Sequence, residues 1–173
     1  MNIFYLSKNS KKCARYHSDK HVVKMILETA QLLCTAIWLS GGKAPYKATH
    51  KNHPSAKWAR TSKANWNWLY SLGVELCKEY TYRYNKIHKS QTKVYDVIEC
   101  PSLPTLPFQP PPQAMPDEYK KEYEDKICIE NKQTLTIVAY RDYYIYKNKV
   151  LASPLSWKKR RTPKWFLRRL LDE

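Results

Sequence analysis

Paired cysteines are absent from this chain of 173 residues. Its cysteines are isolated along the sequence, and none stands in a C-x-x-C pair: Cys13, Cys34, Cys77, Cys100 and Cys128. An odd number of scattered cysteines argues against a complete disulfide framework. The pattern therefore indicates a reducing compartment, and we expect a cytoplasmic protein.

Long apolar runs are absent as well. No stretch of about 18 apolar residues is present to span a bilayer, and the apolar run near the N-terminus is too short for a signal peptide. We also find no internal repeat. The length suits a single domain, so we expect one soluble domain without membrane contact.

Acidic residues are scarce in the first part of the chain. Residues 1–74 hold twelve Lys or Arg, and their only acids are Asp19 and Glu28. The whole chain has a formal net charge of +16, together with six Trp and 14 Tyr. Cations interleaved with flat aromatic rings are typical of nucleic-acid-binding proteins. We expect a nucleic-acid partner, double-stranded DNA in the first place, bound by a monomer.

A polar stripe runs along one predicted helix, which spans about residues 19–39. Its members recur at about 100° per residue on one narrow face: His21, Lys24, Glu28, Gln31 and Thr35. The rest of the circumference is mainly apolar, and burying such a stripe unpaired would cost several kcal/mol. The pattern predicts that the stripe lines a cleft.

The rest of the sequence favours an all-α protein, a single compact helical domain with a proline-rich strap and a basic C-terminal tail. Residues 1–99 form the predicted helical core with the candidate site, beginning with a strand or buried arm. They include a long amphipathic helix over 55–87, and a break in that helix near Asn67 is left open. Residues 100–116, the strap, contain seven prolines, which exclude a regular helix. Residues 117–173 comprise a helical segment and the tail, although the β-branched run near 134–138 leaves helix or strand open.

Glu28 is the first candidate for catalysis. A carboxylate between Lys24 and Gln31 on one helix face can be held in place and act as a general base or stabilise positive charge. The alternative is an ordinary i, i+4 ion pair with Lys24, which contributes a few tenths of a kcal/mol. His21 could orient a substrate or carry a proton, or it could simply satisfy the core.

The basic loop that follows this helix contains His50, Asn52, His53 and Pro54. Two histidines three residues apart form a weak metal signal without further ligands, so we expect no metal and no other cofactor. A turn that starts the next helix explains the pattern better, with Asn52 as its cap. Asn52 and His53 would then reach a phosphate or the polar stripe.

The tail, residues 157–169, combines seven Lys or Arg with three aromatic rings. Cations neutralise phosphates while rings wedge or stack against bases. The candidate DNA contacts are Lys158, Arg160, Arg161, Lys164, Trp165 and Phe166. The alternative is that Trp157 and Trp165 pack onto the body of the protein.

Three of these segments resemble one family. The pattern Asp19-x-His21, with Glu28 seven positions after the histidine, is similar to the first helix of pyrimidine-dimer DNA glycosylases of the phage endonuclease V type. Asn52-His53-Pro54 resembles a turn of bacterial members, and the segment 163–166 resembles their C-terminal DNA-contacting segment. The helix also resembles that of a group of phage proteins that share Asp-Lys-His-Val-Val-Lys-Met.

The resemblance implies an all-α fold in which the N-terminus threads between helices to the active site. It implies a DNA glycosylase with abasic-site lyase activity in a host cell, with the α-amine of the chain as nucleophile and Glu28 as acid and base. Asn2 is a large second residue, so we expect Met1 to be retained and its amine to react. A non-enzymatic nucleic-acid-binding or inhibitory protein and a metal-dependent nuclease using His50 and His53 are the alternatives.

Overall fold

The computed structural model describes residues 1–124 and 127–171, and its regular elements in those ranges are all helical. The α-helices are, in chain order, α1 (Ser10–Tyr16), α2 (Asp19–Leu39), α3 (Pro54–Ala59), α4 (Lys63–Tyr84), α5 (Ile129–Val150) and α6 (Lys164–Leu171). A π-helical turn (Gln91–Tyr95) and a 3₁₀ turn (Asp117–Tyr119) lie between α4 and α5. The all-α prediction is confirmed.

Helix α2 forms the centre of the domain and has the predicted bounds. Its apolar residues pack against α3 and α4, and Val22, Ile26 and Leu33 are fully buried. The helix ends where Gly41 adopts a φ of +84°, a left-handed conformation that suits glycine. Periodicity and the glycine pair were thus sufficient to place this element.

Helix α2 is also long and apolar enough, by length and composition, to cross a membrane. Its most apolar window of 18 residues has a mean hydropathy of 1.5, although polar side chains interrupt the run. Of that window, 61% is buried against the rest of the protein. Burial of this kind is typical of the core helix of a folded domain, which passes the same test.

The structure divides the predicted helix over 55–87 into α3 and α4, so the continuous helix is wrong, and the break lies before Lys63 rather than near Asn67. The break follows Ala59, and Ser62 starts α4 by accepting a hydrogen bond from the backbone N–H of Asn65. We predicted Asn52 as the cap of α3, and this prediction is wrong. His53 takes that place, with its Nδ1 accepting from the N–H of Ser55 and a proline at the first helical position.

The strap, residues 100–116, forms no helix or strand, as the prolines predict, and it lies against α3 and α4. The N–H of Lys63 donates to the carbonyl of Pro104, and Trp58 Nε1 donates to the carbonyl of Gln109. After the strap, the helix predicted at residue 117 is limited to the 3₁₀ turn. Helix α5 begins at Ile129 and settles the open question over 134–138 in favour of helix.

The N-terminal arm is buried and is not paired as a strand. Ile3, Phe4, Tyr5 and Leu6 are each at most 5% exposed. The carbonyl of Leu6 accepts from the guanidinium of Arg141 on α5, at 3.0 Å from Nη2. The arm therefore carries the first residues of the chain into the interior of the helical domain, as the resemblance implied.

Candidate functional site

The chain start, Met1 and Asn2, lies against the one carboxylate of the polar stripe. The backbone nitrogen of Asn2 donates to Glu28 Oε2 at 3.0 Å. The Glu28 side chain is only 13% exposed, and Lys24 Nζ approaches its Oε1 from solvent at 3.4 Å. The fold thus brings Asn2, the second residue of the chain, into direct contact with the predicted catalytic glutamate.

Asn2 fixes the chain start through its side chain. Its Nδ2 donates to the carbonyl of Ala114 in the strap, and its Oδ1 accepts from the N–H of Ile3. Tyr140 on α5 donates to the same Oδ1 at 3.0 Å and to the carbonyl of Pro112 at 2.6 Å. Strap and α5 together therefore determine where the first nitrogen atoms of the chain lie.

Sequence reasoning missed both Asn2 and Tyr140 as site residues. The tyrosine-rich pattern of the segment that became α5 was visible, but nothing local says which hydroxyl reaches residue 2, 138 positions away. Tyr140 is fully buried, and burial raises the pKa of its hydroxyl. The hydroxyl therefore stays protonated and available as a donor.

His53 joins this cluster from the N-terminus of α3. Burial lowers the pKa of its imidazole, and the positive charges of the Met1 amine and His50 lower it further, while the negative charge of Glu28 acts in the opposite direction. His53 therefore lies within electrostatic range of the amine and of Glu28. Since Nδ1 serves as the helix cap, the neutral ring has Nε2 left to face a ligand.

The neighbouring loop residues are arranged differently. Asn52 is exposed, and His50 bonds its own neighbour, with Nδ1 at 2.8 Å from Thr49 Oγ1. Within residues 1–124 and 127–171, no group of three His, Cys, Asp or Glu side chains is close enough to hold a metal ion.

His21 is separated from the cluster and is built into the core. The Tyr144 hydroxyl is hydrogen-bonded to its Nδ1 at 2.6 Å, and Phe4 lies 4.4 Å away between ring centroids. Burial lowers the pKa of His21 to about 3, and neighbouring positive charges act in the same direction. These contacts favour the core-satisfying interpretation of His21 over proton transfer.

The polar stripe does not line a single cleft, as we predicted it would. Lys24 is largely exposed and Gln31 is half-buried. Thr35 is buried and pairs with the loop, where its Oγ1 accepts from the N–H of Thr49 at 3.1 Å. Helical spacing predicted the common face correctly, but three different elements cover it, and Glu28 is the member that meets the chain start.

A cavity of about 900 Å³ adjoins the cluster. His53 lies in its wall, as does Ala114, whose carbonyl holds the Asn2 side chain. Most of the remaining wall comes from the strap and α5. The cavity gives the cluster space for a ligand of substantial size.

A buried ion network fixes the beginning of the tail. Arg83 is fully buried and donates to Asp19 and Glu79, each at 2.9 Å. Arg160 forms two bonds with Glu79, and the N–H of Lys158 lies 2.9 Å from both oxygens of Asp19. Burial alone would raise the pKa of Glu79, but the hydrogen bonds from Arg160 and Arg83 outweigh it and the pKa is lowered. Asp19 of the Asp-x-His pattern therefore anchors the tail.

The other predicted tail contacts divide into exposed cations and buried rings. Lys158, Arg161 and Lys164 are exposed. Trp165 and Phe166 are 8% and 3% exposed and pack together in the core, with the Arg141 guanidinium 4.9 Å from the Trp165 ring centre. The cations are accessible to DNA, whereas rings packed in this way position α6 and are not free to stack on a base.

These features define a small, basic, all-helical protein whose chain start is held against a largely buried carboxylate beside a cavity. A family model described as pyrimidine dimer DNA glycosylase matches residues 1–92, which include the chain start, Glu28 and His53. The chain belongs to this DNA glycosylase family. Comparisons with curated proteins and with solved structures gave no match.

Proposed function

We propose that the protein is a DNA glycosylase that removes a damaged or modified base from double-stranded DNA and then cleaves at the abasic site as a lyase. The observation that carries the proposal is the hydrogen bond from the backbone nitrogen of Asn2, one residue from the chain start, to Glu28. The family match supports the glycosylase class. The monomer, acting inside a cell, is part of the same proposal.

The chemistry requires an amine and a carboxylate side by side. The uncharged α-amine attacks C1′ of the sugar, and the bond from C1′ to the base breaks with its electron pair leaving on the base. Loss of a proton from the amine and opening of the sugar ring at O4′ give an imine between the chain and C1′. Glu28 accepts protons in these steps, and water later releases the imine and restores the amine.

The same carboxylate serves the lyase step. Once the imine has formed, the protons on C2′ become acidic, and Glu28 removes one of them. Electrons from that C–H bond form a double bond, and the 3′ phosphate leaves with the electron pair of its C–O bond. His53, which is neutral because burial and nearby positive charge lower its pKa, can donate a hydrogen bond to the sugar or leaving group.

Which residue supplies the amine depends on the fate of Met1. With Met1 present, the amine is one residue beyond the nitrogen that Glu28 holds. Removal of Met1 would turn the Asn2 nitrogen, already 3.0 Å from Glu28 Oε2, into the α-amine itself. Intact-mass measurement of the purified protein, followed by peptide mapping of a trapped adduct, identifies the reacting residue.

Exposed cations supply the DNA-binding surface in this proposal. Lys24 lies beside the site, while Lys158, Arg161 and Lys164 are presented by the anchored tail. Asn52 is exposed next to His53 and extends the surface around the site. Phosphate contacts of this type orient a duplex without reading its sequence, and they weaken as salt concentration rises.

The test is incubation with labelled duplexes that carry an abasic site, a thymine photodimer or ordinary bases, with and without borohydride. We expect a borohydride-trapped adduct and strand cleavage with the wild type. Glu28→Gln should keep the fold and DNA binding but lose cleavage. Salt-sensitive binding without product from any duplex would refute the enzyme and leave a nucleic-acid-binding protein on the same fold.

A further inference from the structure

We propose that the cavity between the strap and α5 receives a nucleobase turned out of the DNA duplex, with room for a substituent on that base. The inference rests on the proposed function, since it names the place where the target base would lie. Enzymes that act on a base in duplex DNA must take it out of the stack, and they need a pocket for it.

The walls of the cavity suit a flat ring. Trp58, Tyr123 and Tyr143 contribute aromatic surface, and Pro110 and Pro111 of the strap contribute rigid apolar surface. Trp58 and Tyr143 are each 8% exposed, and Trp58 is fixed by its Nε1 hydrogen bond to the carbonyl of Gln109. A base that enters between such surfaces recovers part of the stacking that it loses on leaving the duplex.

The polar groups of the cavity suit the carbonyl edges of a base. Lys132 holds its ammonium 5.2 Å from the centre of the Tyr123 ring, and the side chain of Gln109 is exposed beside it. Lys120 also lines the cavity, although Asp117 pairs with it at 2.6 Å. Among the described residues that line the cavity, none carries a carboxylate. The wall therefore offers donors and positive charge to an acceptor-rich ligand.

The position of the cavity fits the proposed reaction. His53 belongs both to its wall and to the cluster around Glu28, and Ala114 belongs to its wall and holds Asn2. A base in the cavity would thus leave its sugar near the chain start. The volume of about 900 Å³ is near the upper end for ligand pockets, so a base with a bulky substituent has room.

Most of this wall lies outside the family match, which ends at residue 92. The strap, the segment around Lys120 and the first turns of α5 are all contributed by the second half of the chain. The cavity is therefore the means by which this chain would choose its own target base. The amine and Glu28, in contrast, would carry out a reaction that is indifferent to the base.

The experiment measures base extrusion separately from chemistry. A duplex with 2-aminopurine in a mismatch is mixed with Glu28→Gln protein, because 2-aminopurine brightens when it leaves the stack. We expect a several-fold rise in fluorescence. Adding Gln109→Trp, which fills the cavity from an exposed position, should abolish most of the rise, whereas the matched strap change Leu106→Trp, outside the cavity, should preserve it.

A second readout separates this inference from the proposed function. In the otherwise native protein, Gln109→Trp should still form a borohydride adduct on abasic DNA, because that DNA has no base to place in the cavity. The rate at which it releases a damaged base should fall at least tenfold. Thr61→Trp, at another exposed position that lines the cavity, is an independent check, and urea denaturation confirms that the variants fold. Unchanged fluorescence and unchanged base release in both cavity-filling variants would overturn the cavity proposal even if trapping succeeds. If trapping fails in every protein while the fluorescence rise is kept, the proposed enzymatic activity is refuted and the cavity proposal stands.

Discussion

Tyr140→Phe tests whether the strap and α5 hold the chain start in place. The change removes one hydroxyl that donates to Asn2 Oδ1 and to the carbonyl of Pro112, at 3.0 and 2.6 Å, and accepts from the N–H of Ala114 at 3.3 Å. The ring stays, so apolar packing is preserved. The expected loss of folding stability therefore comes from the missing hydrogen bonds alone.

The size of that loss follows from the groups left behind. A buried hydrogen bond contributes about 0.5–1.5 kcal/mol, and a buried partner left without one costs about 1–3 kcal/mol. One proton is shared between two acceptors, so the effects do not simply add. We expect the free energy of unfolding to fall by about 2 kcal/mol, which lowers the urea midpoint by roughly 1 M for a typical slope of about 2 kcal/mol per M.

Tyr144→Phe is the matched control. Tyr144 lies one turn later on α5, is equally buried, and uses its hydroxyl on His21 Nδ1 and the N–H of Ser18. Both variants should lose similar stability. Only Tyr140→Phe should also slow imine trapping on abasic DNA, because only that hydroxyl contacts Asn2.

Two results would contradict this reasoning. An unchanged urea midpoint for Tyr140→Phe would show that the hydroxyl does not contribute to the folded state as its contacts indicate. Equal trapping rates in Tyr140→Phe, Tyr144→Phe and the wild type would show that the Tyr140 hydroxyl does not position the reacting amine. In that case Asn2 would be held by its other contacts, to Ala114 and Ile3.

Three further expectations concern other parts of the molecule. Gly73→Ala should destabilise the fold by about 2 kcal/mol or more in urea denaturation, because its Cβ would lie 2.2 Å from Cε1 of buried Tyr95. Burial lowers the pKa of His17 to about 4 and of His21 to about 3, whereas the same histidines in the unfolded chain have a pKa near 6.5. The unfolded chain therefore binds protons first as the pH falls, and the free energy of unfolding should fall by up to about 1.4 kcal/mol per pH unit per histidine from pH 6.5 towards 4. A flat profile of stability against pH would contradict this. Arg161→Ala, at an exposed position, should weaken DNA binding on all sequences and reduce the salt slope by about one, measured by anisotropy titrations.

Local signals in the sequence were sufficient for α2 and the strap. Helical spacing and the Gly41–Gly42 pair defined α2, and seven prolines prevented any regular element over 100–116. The break between α3 and α4 also had a local signal that we did not use. Ser62 is a residue type preferred at the N-cap, and it interrupts the amphipathic period of the predicted helix over 55–87.

The candidate site was predicted only in part, because periodicity identifies a face but not what covers it. His21 and Glu28 share one face of α2, yet Tyr144 covers the first and the backbone of Asn2 covers the second. Composition had the same limit in the tail. A Trp beside cations is consistent both with a ring that stacks on a base and with a ring that packs into the core, and the burial of Trp165 favours packing into the core.

The two halves of the chain contribute different things to the site. Glu28, His53 and the chain start all lie within residues 1–92, where the family match lies. What holds and surrounds them comes from later in the chain: Ala114 and Pro112 of the strap, and Tyr140 of α5. A protein cut after residue 92 would retain the proposed reacting groups but lose both hydrogen bonds that Asn2 makes to the second half, and most of the cavity wall. We infer that the second half supplies the precision and the choice of base, while the first half supplies the chemistry.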